Sequence, residues 1–215
     1  MSFKEKNKRM RHFCITAIAL VAAVSLAAKA PKGWKLRADE SKEASDPDGP
    51  GNIKLAAMGT GFHATNPQAA VFWNPANTAS GNYTLKGTFI LQKPSGHNNY
   101  YGLVFGGSGL EGAQQKYGYF MVSQAGQWLI KTRDGETAGN VAPRAASDAI
   151  KKPDASGKST NALEVRVAAD KTEFVVNGMV VHSAPKSAGL RTDGIWGFRV
   201  NHQLEVHVDG LSVSK

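Results

Sequence analysis

Near the end of the chain, His202, Glu205, His207 and Asp209 bring two imidazoles and two carboxylates together. On a β-strand, side chains alternate with a period of two, so Glu205, His207 and Asp209 share one face. Paired carboxylates cleave glycosides, and the retaining reaction needs its two groups about 5–5.5 Å apart. Glu205 and Asp209 are four residues apart, roughly 13 Å along a strand. That is too long for a retaining pair, so they stand as candidates and no catalytic residue is assigned. Two His and a carboxylate are also ligand types for a metal. The favoured reading is plainer: a solvated face with an Arg199–Glu205 pair across two strands, worth well under about 1 kcal/mol. No metal site is assigned.

Arg199 and His207 remain ligand-binding candidates on that face, and two tryptophans join them. Trp73 sits beside a loop, and Trp128 follows the turn Ala125-Gly126. Aromatic rings at such positions can stack on sugar faces, although core packing is the commoner role for each; Trp196 reads as core. Other motifs fail their context. Gly107-Ser-Gly-Leu-Glu-Gly112 spells a dinucleotide fingerprint, but a strand-like Tyr117-Gly-Tyr-Phe-Met-Val122 follows where the mechanism needs a helix. Gly157-Lys-Ser-Thr160 lacks the first glycine of a phosphate loop, since position 152 is Lys152. No nucleophile elbow is present.

The elements that must position these residues are strands. Asn177-Gly178 between Thr172-Glu-Phe-Val-Val176 and Met179-Val-Val-His-Ser183 is a hairpin signal, because a type I′ turn needs φ > 0 at both central residues. A two-residue loop sets Val176 opposite Met179, Phe174 opposite Val181 and Glu173 opposite His182. Leu163-Glu-Val-Arg-Val167 folds back to put Val165 opposite Phe174 and Leu163 opposite Val176. Further strands are expected at 33–38, 52–58, 69–73, 83–92, 100–105, 117–122 and 127–132. Gly59 to Pro67 reads as a loop, and Asn74-Pro75 as a strand end. Residues 134–160 are weakly patterned; Pro143 to Lys152, the best helical candidate, is short and reads equally well as a loop leading into a strand. Ile195–Val200 and Leu204–Val208 flank Asn201-His202-Gln203. Read as a hairpin, they pair Val200 with Leu204, Phe198 with Val206 and Trp196 with Val208, all facing inward. Gly197 then leaves space beside His207.

Composition bounds the setting. Lys4, Lys6, Lys8, Arg9 and Arg11 precede the apolar stretch Phe13–Ala28, and Ala28-Lys29-Ala30 fits a small-x-small cleavage site. The expected organisation is a signal peptide over 1–30, a polar segment over 31–52 anchored by Trp34, and a β-sandwich over 53–215. The chain is then exported, periplasmic or extracellular, without a membrane span after cleavage. Residues 1–30 hold six Lys/Arg and one Asp/Glu, so without them the net charge falls from +9 to +4. No basic cluster is left to bind nucleic acid. The only cysteine, Cys14, lies in the signal segment, so the mature chain forms no disulfide.

Tyr100-Tyr-Gly-Leu-Val-Phe-Gly-Gly107, Tyr117-Gly-Tyr-Phe120, Asn161-Ala-Leu-Glu-Val165, Phe174-Val-Val-Asn-Gly178 and Gly194-Ile-Trp-Gly-Phe198, with the closing Leu204–Leu211, resemble the concanavalin A-like, laminin G-like jelly roll. The likeness is strongest to its bacterial exported, keto-disaccharide hydrolase-type branch. The resemblance implies an all-β, antiparallel two-sheet sandwich. It also admits calcium, although no cofactor is read from the residues. The Glu-x-Asp-x-Glu strand of concanavalin-like glycosidases is absent. The reading is therefore an exported lectin-like module that binds carbohydrate or another envelope component without catalysis. A glycoside-cleaving enzyme is the first alternative and a structural or adhesive module the second.

Overall fold

Asn177 and Gly178 take φ of 49° and 84°, as the type I′ turn requires. Met179 lies opposite Val176, Val165 opposite Phe174 and Leu163 opposite Val176. One extra residue, Val181, is taken up in a bulge beside Phe174 and Val175. Phe174 therefore faces His182 rather than Val181, and Glu173 faces Ser183 rather than His182.

The computed structural model describes residues 31–41 and 46–215. The signal segment and the cut expected after Ala30 lie outside the described residues. No helix among the described residues is long and apolar enough to cross a membrane.

Among the described residues, fourteen strands form two antiparallel sheets of seven. The first runs β1 (Lys35–Asp39), β4 (Ala69–Ala79), β13 (Gly194–Val200), β6 (Tyr100–Ser108), β7 (Lys116–Ser123), β8 (Gln127–Asp134) and β9 (Thr137–Ala146). The second runs β12 (Met179–Pro185), β11 (Lys171–Val176), β10 (Ser159–Val167), β5 (Tyr83–Lys93), β14 (Leu204–Ser214), β3 (Gly61–Asn66) and β2 (Lys54–Met58). Alternation sends Phe72, Leu103, Phe105, Phe120 and Phe198 of the first sheet inward. They meet Leu85, Phe89, Leu91, Phe174 and Val206 of the second in one core, all fully buried. Each such side chain contributes about 1.5–3 kcal/mol by leaving water.

β1 lies in the polar N-terminal segment and pairs with β4 as the sheet edge. Trp34 beside it stacks on Phe62 and Phe198, with ring centroids 4.4 and 5.6 Å away. Three expectations change. Gly59–Pro67 contains β3 rather than a loop. β4 passes Asn74-Pro75 and continues to Ala79, because its pairing with β13 breaks between Trp73 and Thr78 and lets the proline bulge out unpaired. The weakly patterned stretch supplies β9, and Pro143–Lys152 forms the end of that strand and a turn.

The largest correction concerns the terminal strands. β13 and β14 are not a hairpin: Val200 pairs with Ala70 and Tyr101, and Leu204 with Asn66. Asn201-His202-Gln203 carries the chain from one sheet to the other. Phe198, Val200, Leu204, Val206 and Val208 do point inward, and half-buried Trp196 packs against the same core. They face one another across the sandwich, not along a ladder.

Candidate functional site

The outer face of the first sheet is unusual in being buried without a third layer. Val71, Trp73, Val104, Tyr117, Tyr119 and Met121 point away from the second sheet, yet none is more than 8 % exposed. Leu110, in the β6–β7 loop, folds over them. Curvature explains the rest. β1 and β7 are four strand spacings apart, about 19 Å on a flat sheet, but the Tyr117 hydroxyl lies 3.4 Å from Asp39 Oδ2. Two side chains cannot span that gap unless the face is concave.

Arg199 occupies the floor of this concavity. Its neighbours across the two ladders are Gly102 on one side and Val71 on the other. A Cβ on Gly102 would stand 2.2 Å from the Phe120 carbonyl oxygen, and one on Gly197 2.1 Å from that of Phe72, so both positions demand glycine. The guanidinium pairs with Asp39, donates to the Tyr117 hydroxyl at 3.1 Å and lies 5.7 Å from the Tyr119 ring centre. Burial alone would push the Asp39 carboxyl up. The charge and hydrogen bond of Arg199, helped by Arg133 and Arg37, outweigh it and hold the carboxyl below its usual range. Burial pushes the Tyr117 hydroxyl up to about 12, so it stays a neutral donor.

At the end of this face opens a pocket of about 370 Å³. Its wall includes Asn98, Tyr100, Lys131, Asn140, Arg144 and Asn201, and Asp46 is its one carboxylate among the described residues. Lys131 and Asn140 are brought together by direct pairing of β8 with β9. Arg144 Nη1 donates to the Tyr100 hydroxyl at 3.2 Å, and that hydroxyl donates to Gln127 Oε1 at 3.0 Å. Asn98 Nδ2 also donates to Gln127 Oε1, at 2.9 Å. Behind Asp46 stand His97 and His202, the latter also 3.1 Å from Asp48. A larger hollow of about 580 Å³ lies between the 48–52 loop, the Pro94–Gly96 turn and Glu205. Its wall is mostly polar and charged, with the carboxylates Asp48 and Glu205 among glycines and prolines, and has no aromatic side chain.

The sequence-derived candidates are scattered. Arg199 lies on the concave face, whereas Glu205, His207 and Asp209 lie on the outer face of the second sheet. The expected Arg199–Glu205 pair does not form, because β13 and β14 are in different sheets. Glu205 is 4.0 Å from Lys93 and 3.9 Å from His63. His207 lies opposite His63 rather than beside Gly197. Asp209 accepts from Thr60 at 2.8 Å and from the Gly210 backbone, which hold its carboxyl below the usual range. Trp73 is 2 % and Trp128 6 % exposed. Trp73 belongs to the apolar floor of the concave face and Trp128 to the core beside His182, so neither offers a free ring face. Asn98, Lys131, Asn140 and Arg144 carried no sequence signal, because polar residues in a weakly patterned strand or loop look like solvated surface.

Comparison with solved structures matches this architecture. The carbohydrate binding module CBM66 from Bacillus subtilis superposes with a TM-score of 0.60 at 12% identity, over 85% of this chain and 96% of the module. The fold is a concanavalin A-like jelly-roll β-sandwich. The GH16 of the Bacteroides ovatus mixed linkage glucan PUL, in complex with G4G4G3G product, gives 0.55 at 8% identity, over 87% and 97% of the two chains. A Bacillus subtilis protein of unknown function with a galectin-like fold gives 0.51 at 14%, over 85% and 89%. No family model matches the sequence, and no curated protein matches it. The likeness is one of fold, shared by binding modules and by enzymes alike.

Proposed function

We propose that this protein is an exported, non-catalytic carbohydrate-binding module whose site is the pocket on the concave face of the first sheet. The observation that carries the reading is the wall of that pocket: side-chain amides of Asn98, Asn140 and Asn201, the cations Lys131 and Arg144, and a single carboxylate. The amides donate to and accept from sugar hydroxyls, and the two cations donate to them. Glycoside cleavage calls for two carboxylates in one groove, and the lining supplies only Asp46. The excess of positive charge favours saccharides that carry carboxylate or sulfate groups.

A glycan array probed with the mature chain, including neutral, uronate-containing and sulfated sugars, tests this. Acidic saccharides should be retained. Lys131→Ala and Arg144→Ala should each weaken binding roughly ten- to hundredfold, since a hydrogen bond to a charged group is worth about 1.5–3 kcal/mol. Release of shortened sugars would favour the enzyme, and a blank array the structural or adhesive module.

A further inference from the structure

Asp46, His97 and His202 come from three loops distant in sequence, yet their ligand-type atoms converge on one point. His97 Nε2 is 2.7 Å from Asp46 Oδ1, His202 Nε2 is 3.1 Å from the same oxygen, and the two imidazole nitrogens are 2.9 Å apart. Their neighbours determine what each atom can be. His202 Nδ1 faces Asp48 Oδ1 at 3.1 Å, a partner that holds a proton on Nδ1 and turns Nε2 toward Asp46 and His97. Asn99 Nδ2 donates to the His202 carbonyl oxygen at 3.0 Å, which fixes the orientation of the amide, and it lies 2.9 Å from His97 Nε2. The two hydrogens of that amide are taken by the His202 carbonyl and by Ser95 Oγ, the latter at 3.2 Å, which leaves His97 Nε2 turned to Asp46 and His202.

Two imidazole nitrogens and a carboxylate oxygen therefore meet at hydrogen-bond distance. A proton on one imidazole relieves some of these contacts. A divalent cation satisfies all three. We infer that Asp46, His97 and His202 form a binding site for a zinc-like transition-metal ion, with Asp48 as the carboxylate that orients His202. Two imidazoles and one carboxylate are the donor set of such an ion and not of calcium, which takes oxygen ligands. Tetrahedral bonds of about 2.0–2.1 Å place ligand atoms roughly 3.3–3.5 Å apart, so the three groups, now 2.7–3.1 Å apart, would have to spread by roughly 0.2–0.8 Å to admit the ion. The Asp48–His202 contact reproduces the carboxylate–histidine–metal arrangement that fixes the imidazole's tautomer and orientation. His202 is 7 % exposed and His97 39 %, so the site is anchored in the protein and open on one side. The ion would pin the 46–48 segment to the loops before β6 and β14.

The test uses chain without a histidine tag, stripped with chelator and titrated calorimetrically with zinc chloride. One ion per chain should bind with a dissociation constant of micromolar or below, and cobalt substitution should give the visible absorption of a tetrahedral site. His97→Ala and Asp46→Ala should each weaken binding at least a hundredfold, and Asp48→Asn ten- to hundredfold. His207→Ala, next to His63 on the other sheet, should leave it unchanged. Far-UV circular dichroism confirms that each variant is folded. Absence of one-to-one binding, a preference for calcium, or binding that survives in folded His97→Ala would overturn the proposal.

Discussion

Asp39 and Arg199 are the best-defined charged pair of the concave face, with side chains 9 % and 12 % exposed. Because the Asp39 carboxyl is held below its ordinary value of 3.8, its ionised form stabilises the fold above that value, and the contribution is lost as pH falls through the depressed value. Asp39→Asn leaves the Arg199 cation buried without its partner and should cost about 3–5 kcal/mol at neutral pH. In urea unfolding, the gap to the parent should narrow as the pH is lowered into the acid range. Asn177 is a second such point. Besides taking the left-handed turn conformation, its Oδ1 accepts from the Ala162 backbone at 2.9 Å and its Nδ2 donates to the Ala149 carbonyl at 2.8 Å and to Asn161 at 2.9 Å. Asn177→Val should lose roughly 2–4 kcal/mol through turn strain and these bonds. Asn177→Gly keeps the turn and should lose about 1–2 kcal/mol, so comparing their melting curves separates the two contributions.

At the scale of elements, β13 and β14 decide how the sandwich is assembled. Each buries one side in the shared core, so Phe198→Ala should destabilise by about 3–5 kcal/mol. Their outer sides belong to different surfaces. Alanine at Glu205, His207 and Asp209 together should leave saccharide binding as it is, while Arg144→Ala on β9 abolishes most of it. Loss of binding in the triple variant, with the fold intact, would move the site to the second sheet.

For the whole molecule, β1, Trp34 and the 46–52 loop make the polar N-terminal segment part of the sandwich and of its pocket. The residues before it have another role on our reading. Protein recovered from outside the producing cell should begin at Pro31 when its N-terminus is sequenced, and a product still carrying Phe13–Ala28 would refute export by cleavage. Removal of the proposed leader would take the single cysteine with it and leave no disulfide to hold the chain. Its stability then rests on the core between the two sheets.

Local rules settled much from the sequence alone. Period-two alternation and the φ > 0 demanded by Asn177-Gly178 determined most strands, though not β3 or β9, the type I′ turn and the register of Val165 and Leu163 against Phe174 and Val176. They also marked Phe198, Val200, Leu204, Val206 and Val208 as core. They could not tell whether β13 and β14 pair side by side or face each other across the core, because both arrangements bury the same alternate residues. That choice rests on long-range pairing with β4, β6, β3 and β5, and it separates Arg199 from Glu205, His207 and Asp209. The pocket and the Asp46–His97–His202 cluster were hidden for the same reason. Their residues come from loops and strands far apart in sequence, and only the closing of the sandwich brings them together.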